Sequence, residues 1–160
     1  MSDIKKIAIV TPEFYGDTMV GSLAVSVHGL VHALTKKGIE VHVVMPAYVK
    51  TYYSEKFTRE PFIDQKSDHK IVIDSYSRDG IVIHKITGFR LQELAGIYSS
   101  SALSNLNIED AAYKKMMKKT FESYFLLSAA VPNVLNEAGL KDVDVIHLME
   151  WTMASASYSC

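Results

Sequence analysis

The chain contains one cysteine in 160 residues, and that cysteine is Cys160, the last residue. Disulfide frameworks and cysteine-based zinc sites are therefore excluded within it. No apolar run reaches the length of a membrane span, so no membrane is expected as a partner. Neither sign of charge dominates: 17 Lys and Arg stand against 18 Asp and Glu, a formal net charge of -1. That balance argues against a nucleic-acid surface. Internal repeats and low-complexity segments are missing too. The opening "MSDIKKIAIVTPEF" is too short in its apolar part for a signal peptide and lacks a small-residue cleavage site. The cytoplasm is the expected compartment. Two phosphate-binding fingerprints are also absent: the dinucleotide G-x-G-x-x-G and the P-loop with its Lys-Ser/Thr.

What is present is a soluble globular mix, 48% hydrophobic and 22% charged, of a length that suits one domain. "KIAIV", Lys6 to Val10, is a short β-branched run between polar flanks, the pattern of a strand buried on both faces. Leu23, Val27, Leu30, Val31 and Leu34 follow at helical spacing and make one apolar stripe. Lys36, Lys37 and Gly38 supply a helix stop. "IEVHVVMP", Ile39 to Pro46, is a second buried strand. Strand, helix and strand make a right-handed βαβ unit.

Residues 47 to 68 show no clear period. "KIVIDSY" and "GIVIHKI" then flank "SRDG", where Asp79-Gly80 signals a hairpin. A hairpin breaks strict βα alternation, so it reads as an insertion or as the sheet's edge. Asn107 and Asp110 form a variant capping box for a helix from about Ile108. Pro132 is expected to interrupt that helix or start a new one, and Gly139 to end it. "VDVIHLM", Val143 to Met149, is a further buried strand, and the sequence after it looks like a starting helix. No helix stop follows, so the chain reads as a fragment cut soon after a βα turn. The fold class is α/β: a Rossmann-like doubly wound, mainly parallel sheet with a β-hairpin insertion.

In such sheets ligands sit beyond the carboxyl ends of the strands, where the strand order reverses. The first strand and Val143–Met149 are the expected neighbours there. Two loops then converge, Thr11 to Ser22 and Glu150 to Thr152. Gly21 and Ser22 stand at a helix start, where free backbone N–H groups favour anions. Gly16 and Gly21 equally suit a simple turn. Glu13 either accepts from sugar hydroxyls or caps the turn. His28 and His32, four apart on the helix, lie off the apolar stripe and read as solvent-exposed; no metal site is expected. His42 and His84 lie in strands, where packing or surface placement is commoner than catalysis.

These residues resemble a known family. "KIAIVTPEF…MVGSLAVSVHGLVHALTKKGIEVHVVMPAY" is similar to the opening of bacterial and archaeal glycogen and starch synthases, retaining glycosyltransferases of the two-domain GT-B type. That opening has a strand ending in Glu, then Lys-x-Gly-Gly-Leu, a helix, and a Gly-His-Glu-Val strand. "VDVIHLMEW" resembles a second motif, Pro-Asp-Val-Val-His-x-His-Asp-Trp-His. The departures are at charged positions. Met19 stands in place of the lysine that contacts donor phosphate, and Ser22 replaces the second glycine. Val25 stands where aspartate is common. His147 and Trp151 match, Met149 and Glu150 replace His and Asp, and Thr152 replaces the histidine that touches the sugar near the reacting centre.

The resemblance implies that residues 1–160 are the N-terminal, acceptor-side half of such an enzyme, without its C-terminal nucleotide-sugar domain. It implies glucosyl transfer from ADP- or UDP-glucose to an α-1,4-glucan, with no metal or other cofactor. Implied site residues are Thr152 and His147 at the reacting centre, and Glu13, Met19, Gly21, Ser22, Glu150 and Trp151 against substrate. A related glycosyltransferase with another acceptor, or a non-catalytic domain that binds glucan or a partner, fits the same residues. Homo-oligomerisation is left open.

Overall fold

A computed structural model describes residues 4–19, 21–48, 57–64, 67–91 and 111–158. Within these residues the chain forms a six-stranded sheet between two α-helices. The elements are β1 (Lys6–Val10), α1 (Ser22–Lys36), β2 (Glu40–Pro46), β3 (Phe57–Asp64), β4 (His69–Arg78), β5 (Ile81–Thr87), α2 (Ala111–Glu137) and β6 (Val145–Leu148). A 3₁₀ helix, Trp151–Tyr158, follows β6. The strand order is β3-β4-β5-β2-β1-β6. β1 pairs in parallel with both β2 and β6, and β2 with β5. The chain thus builds outward from β1 on one side and returns through α2 to β6 on the other. That reversal puts the switch point between β1 and β6, as the sequence indicated.

Each sheet face has its own core. Ile7, Ile9, Val41, Val43, Met45, Ile81 and Ile83 meet Val27 and Val31 of α1. Ala8, Val10, Val44, Ile71, Ile73 and Ile86 meet Tyr124, Leu127, Val131 and Val134 of α2, with Met153 and Ala156 of the 3₁₀ helix. The strict alternation along β1 and β2 explains why both strands read as continuous apolar runs.

Four expectations change. The segment read as aperiodic contains β3, paired antiparallel to β4. Pro61 and the Arg59-Glu60 pair mask its alternation, and a proline is tolerated there because β3 lies at the sheet's edge. The hairpin is only partly an edge feature. Asp79 and Gly80 turn it with φ of 53° and 76°, but β5 lies inside the sheet against β2. β6, read as a buried strand, is an edge strand of the described sheet and only partly buried. Pro132 neither breaks nor starts a helix, since α2 runs through it. Val131 and Val134 around it are fully buried, and that packing outweighs the lost backbone hydrogen bond. The expected capping box at Asn107 and Asp110 lies outside the described residues.

Candidate functional site

Backbone bonds continue past the strands at their carboxyl ends: Met149 N–H donates to Val10 C=O at 2.9 Å and ties the end of β6 to β1, while Thr11 N–H donates to Val44 C=O of β2 at 3.0 Å. Register does the rest: Val10 is level with Leu148, so Thr11–Glu13 and Glu150–Thr152 leave the sheet together. Glu150 turns the chain with φ 69°, and its C=O accepts from Met153 N–H at 3.2 Å to open the 3₁₀ helix.

The loop after β1 has two parts. Thr11 Oγ1 donates to Glu13 C=O at 2.9 Å and fixes the exit from the strand. Phe14 and Thr18 then form a β-bridge around Gly16, whose φ is +84°. Beyond it, Met19 is exposed and Gly21 stands at the N-cap of α1. Gly21 N–H donates to Glu13 Oε2 at 3.1 Å. The buried Glu13 carboxylate therefore serves one of the free amides at the helix start, where a negative charge is favoured. The α1 N-cap has no side-chain hydrogen bond of its own.

Behind Glu13, the hydroxyls of Tyr48 and Tyr124 share a hydrogen bond. Burial, aided by the charge of Glu13, pushes the Tyr124 phenol well above its ordinary value. Neither tyrosine was singled out in the sequence. Tyr48 closes the stretch "VVMPAY" at the end of the second strand, which was the signal available.

The structure thus bonds Glu13 to Gly21 at the start of α1, just before Ser22, and the register of β1 with β6 carries Glu150 and Thr152 off the sheet beside Thr11–Glu13. Thr152 is buried, and its Oγ1 has no hydrogen-bond partner among the described residues. A buried hydroxyl left so is costly unless something else completes it. Ser22 and Glu150 are exposed. Trp151 opens the 3₁₀ helix, and its side chain lies outside the described part. His147 is the third residue of β6, level with Ile9 on the α1 side, and exposed. Thr152 precedes Met153, which packs on the α2 side, so the sheet edge separates it from His147.

The other histidines divide differently from the expectation. His28 and His32 are half-buried, not free in solvent, with ring centroids 4.3 Å apart. His28 also lies against Tyr15 and Phe14 at 5.0 and 5.7 Å, and burial lowers its pKa. His42 and His84 pack, as read, on the α2 face. Among the described residues, no group of three or more His, Cys, Asp or Glu is placed to hold a metal.

The family model of the starch synthase catalytic domain matches residues 6–159. The chain belongs to that family. Among solved structures it is similar to the catalytic domain of starch synthase IV from Arabidopsis thaliana bound to ADP and acarbose. The TM-score is 0.65 and the identity 22%, over 98% of this chain and 30% of that one. At that identity the likeness is one of fold, half of a GT-B architecture, and the chain spans about 30% of the plant protein's length. A search of curated protein sequences gave no significant match. No helix among the described residues is long and apolar enough to cross a membrane.

Proposed function

We propose that this chain is the acceptor-side half of a retaining GT-B glucosyltransferase that moves glucose from ADP- or UDP-glucose to an α-1,4-glucan. A cytoplasmic enzyme of glycogen metabolism is the setting that fits best. The observation that carries the reading is the convergence of Glu13 and Gly21 with Glu150 and Thr152 at the switch point of a starch-synthase-family domain. Acidic oxygens there, of Glu13 and Glu150, suit sugar hydroxyls: a carboxylate accepts, and each glucose offers several donors. The hydroxyl of Thr152, without a hydrogen-bond partner among the described residues, supplies a further contact near the reacting centre. Trp151 is the substrate-binding aromatic that the family resemblance implies. Gly21 and Ser22 present backbone at the helix start, and His147 approaches from the far side of β6. Nucleotide sugar and glucan are substrates, and no metal or cofactor takes part in this scheme.

A second reading is favoured by one residue. Met19 is 58% exposed at the loop where the family places a cation on donor phosphate. A thioether cannot replace that charge. A domain that binds glucan without transferring glucose would tolerate it.

The test is a binding and turnover pair on the 160-residue protein. It should bind maltohexaose and incorporate no glucose from either donor, because a two-domain cleft needs both walls to orient its substrates. Turnover by this chain alone would contradict the division of labour. Failure to bind maltohexaose would contradict the acceptor role.

A further inference from the structure

The part of the loop farthest from the strand end is tied to an element that the family motifs do not include. Asp17, 3% exposed, lies at the tip of the Phe14–Thr18 bridge. Three side chains of the β4–β5 hairpin converge on its carboxylate. Lys85 Nζ, itself 3% exposed, is 2.6 Å from Oδ1, Tyr76 OH donates to Oδ1 at 2.7 Å, and Arg78 Nη2 is 3.0 Å from Oδ2. Arg78 also donates to the carbonyls of Tyr15 at 2.9 Å and Gly16 at 3.3 Å. Its guanidinium lies 5.6 Å from the centre of the Phe14 ring.

Gly16 belongs to this arrangement. A Cβ there would meet the Arg78 guanidinium at 3.2 Å, on a backbone with φ +84°. Both facts require glycine for the fold alone. Lys85 is too buried to touch a ligand, so it acts through the loop.

We propose that Asp17 is a positioning residue: with Lys85, Arg78 and Tyr76 it fixes the loop so that Glu13 and Gly21 are in place before a ligand arrives. The proposal rests on the reading of this loop as a wall of the acceptor cleft. The physical reason is that an unanchored loop must lose its freedom at the moment of binding, which weakens affinity. Burying Lys85 against the carboxylate, with the part-exposed Arg78 beside the other oxygen, is costly unless the geometry is well satisfied. Here the cluster's visible product is one loop conformation.

The experiment compares wild type, Asp17→Asn, and Asp17→Asn combined with Lys85→Met. The double variant removes both charges, so it avoids leaving the lysine buried without its carboxylate and keeps the test valid if the single variant does not fold. Amide hydrogen exchange is read residue by residue, beside titration with maltohexaose. The expected result is exchange faster by about tenfold or more at Phe14, Asp17, Thr18 and Gly21 in the double variant, with β1 and β2 unchanged. Maltohexaose affinity should fall by a similar factor. Unchanged exchange at those amides in the folded double variant would overturn the proposal. So would exchange that rises equally in β1 and β2, since the charges would then act on global stability alone. Wild type that binds no maltohexaose would overturn the cleft reading, whereas the exchange result separately decides the tether.

Discussion

The loop after β1 carries two glycines five residues apart, and they answer to different masters. Gly16 sits in the anchored half, at positive φ and against Arg78, so the protein's own structure demands it. Gly21 sits in the open half. Its φ is -146°, which any residue adopts, and a Cβ there would meet nothing within 4 Å among the described residues. None of the described residues requires glycine at that position, and none fills the space in front of it. One half of the loop is finished by the protein, and the other is left to be finished.

The same division separates the two ends of the sheet. Between the amino end of β2 and the middle of β5, four side chains complete each other. With both rings neutral, Ser75 Oγ–H donates to His84 Nδ1 at 2.8 Å, and His84 Nε2–H to His42 Nδ1 at 2.9 Å. His42 Nε2–H donates to Glu40 Oε1 at 2.7 Å. That bond holds the Glu40 carboxyl below its usual range. The carboxylate can only accept, so it sets the direction of the whole chain. At the carboxyl ends, by contrast, the buried Thr152 hydroxyl has no hydrogen-bond partner among the described residues, as is also true of Ser128 Oγ in α2 and His28 Nδ1 in α1. Of these, Thr152 is the one that lies in the turn after β6, at the candidate site.

The comparison can be broken most forcefully at Asp17. Replacing it by leucine should cost about 3–5 kcal/mol, because Lys85 loses the carboxylate beside it in a buried place. Denaturant unfolding would measure this, and a cost below about 1 kcal/mol, that of an exposed ion pair, would show that the anchored half is not anchored by charge. The histidine chain comes next. Burial, with the neighbouring His42 as second cause, pushes His84 down from 6.5 to about 4. The unfolded chain then binds the proton more readily than the folded one. Stability is full above pH 6.5 and falls as pH drops toward 4, by up to about 3 kcal/mol. Denaturation midpoints across that window should show the loss, and His84→Phe should flatten it. A flat wild-type profile would mean that this end of the sheet is not closed to protonation.

The open half gives smaller effects on stability and larger ones on binding. In a chain carrying the donor-binding half, Met19→Lys should restore a charge-assisted contact to donor phosphate. That contact is worth roughly 1.5–3 kcal/mol, about tenfold to hundredfold in affinity, before desolvation. Calorimetric titration with ADP-glucose and UDP-glucose would read it, and no gain for either would detach position 19 from the phosphates. Smallest is the contrast between the glycines. Gly16→Ala should cost about 1–2 kcal/mol of stability for its left-handed backbone. Gly21→Ala should cost under about 1 kcal/mol, since only the cap preference changes. Equal costs would dissolve the distinction drawn between them.

Much of this was legible in the sequence, and the reasons are local. β1, β2 and the α1 stripe follow from apolar spacing alone, and the Asp79-Gly80 turn from its dipeptide. The neighbourhood of β1 and β6 followed from topology. β3 was hidden because Pro61 and the charges beside it suit an edge strand, which has no strong apolar period. Helix α2 was misread at Pro132 because tertiary burial outweighs local propensity. The Asp17 cluster could not be read at all. Asp17 is about 60 residues from Tyr76 and Arg78, and only the pairing of β5 with β2 brings the hairpin beside the loop. The buried Glu13, Tyr48 and Tyr124 group depends likewise on α2 packing over the strand ends.

The most direct measurement maps maltohexaose onto the backbone amides of the 160-residue protein by NMR titration. If the open half of the loop and the turn after β6 form the ligand wall, the largest shifts fall at Gly21, Ser22, Glu150 and Thr152, and His42 and His84 stay still. Shifts gathered at His42 and His84, or none at the four cleft residues while the glucan binds, would contradict it.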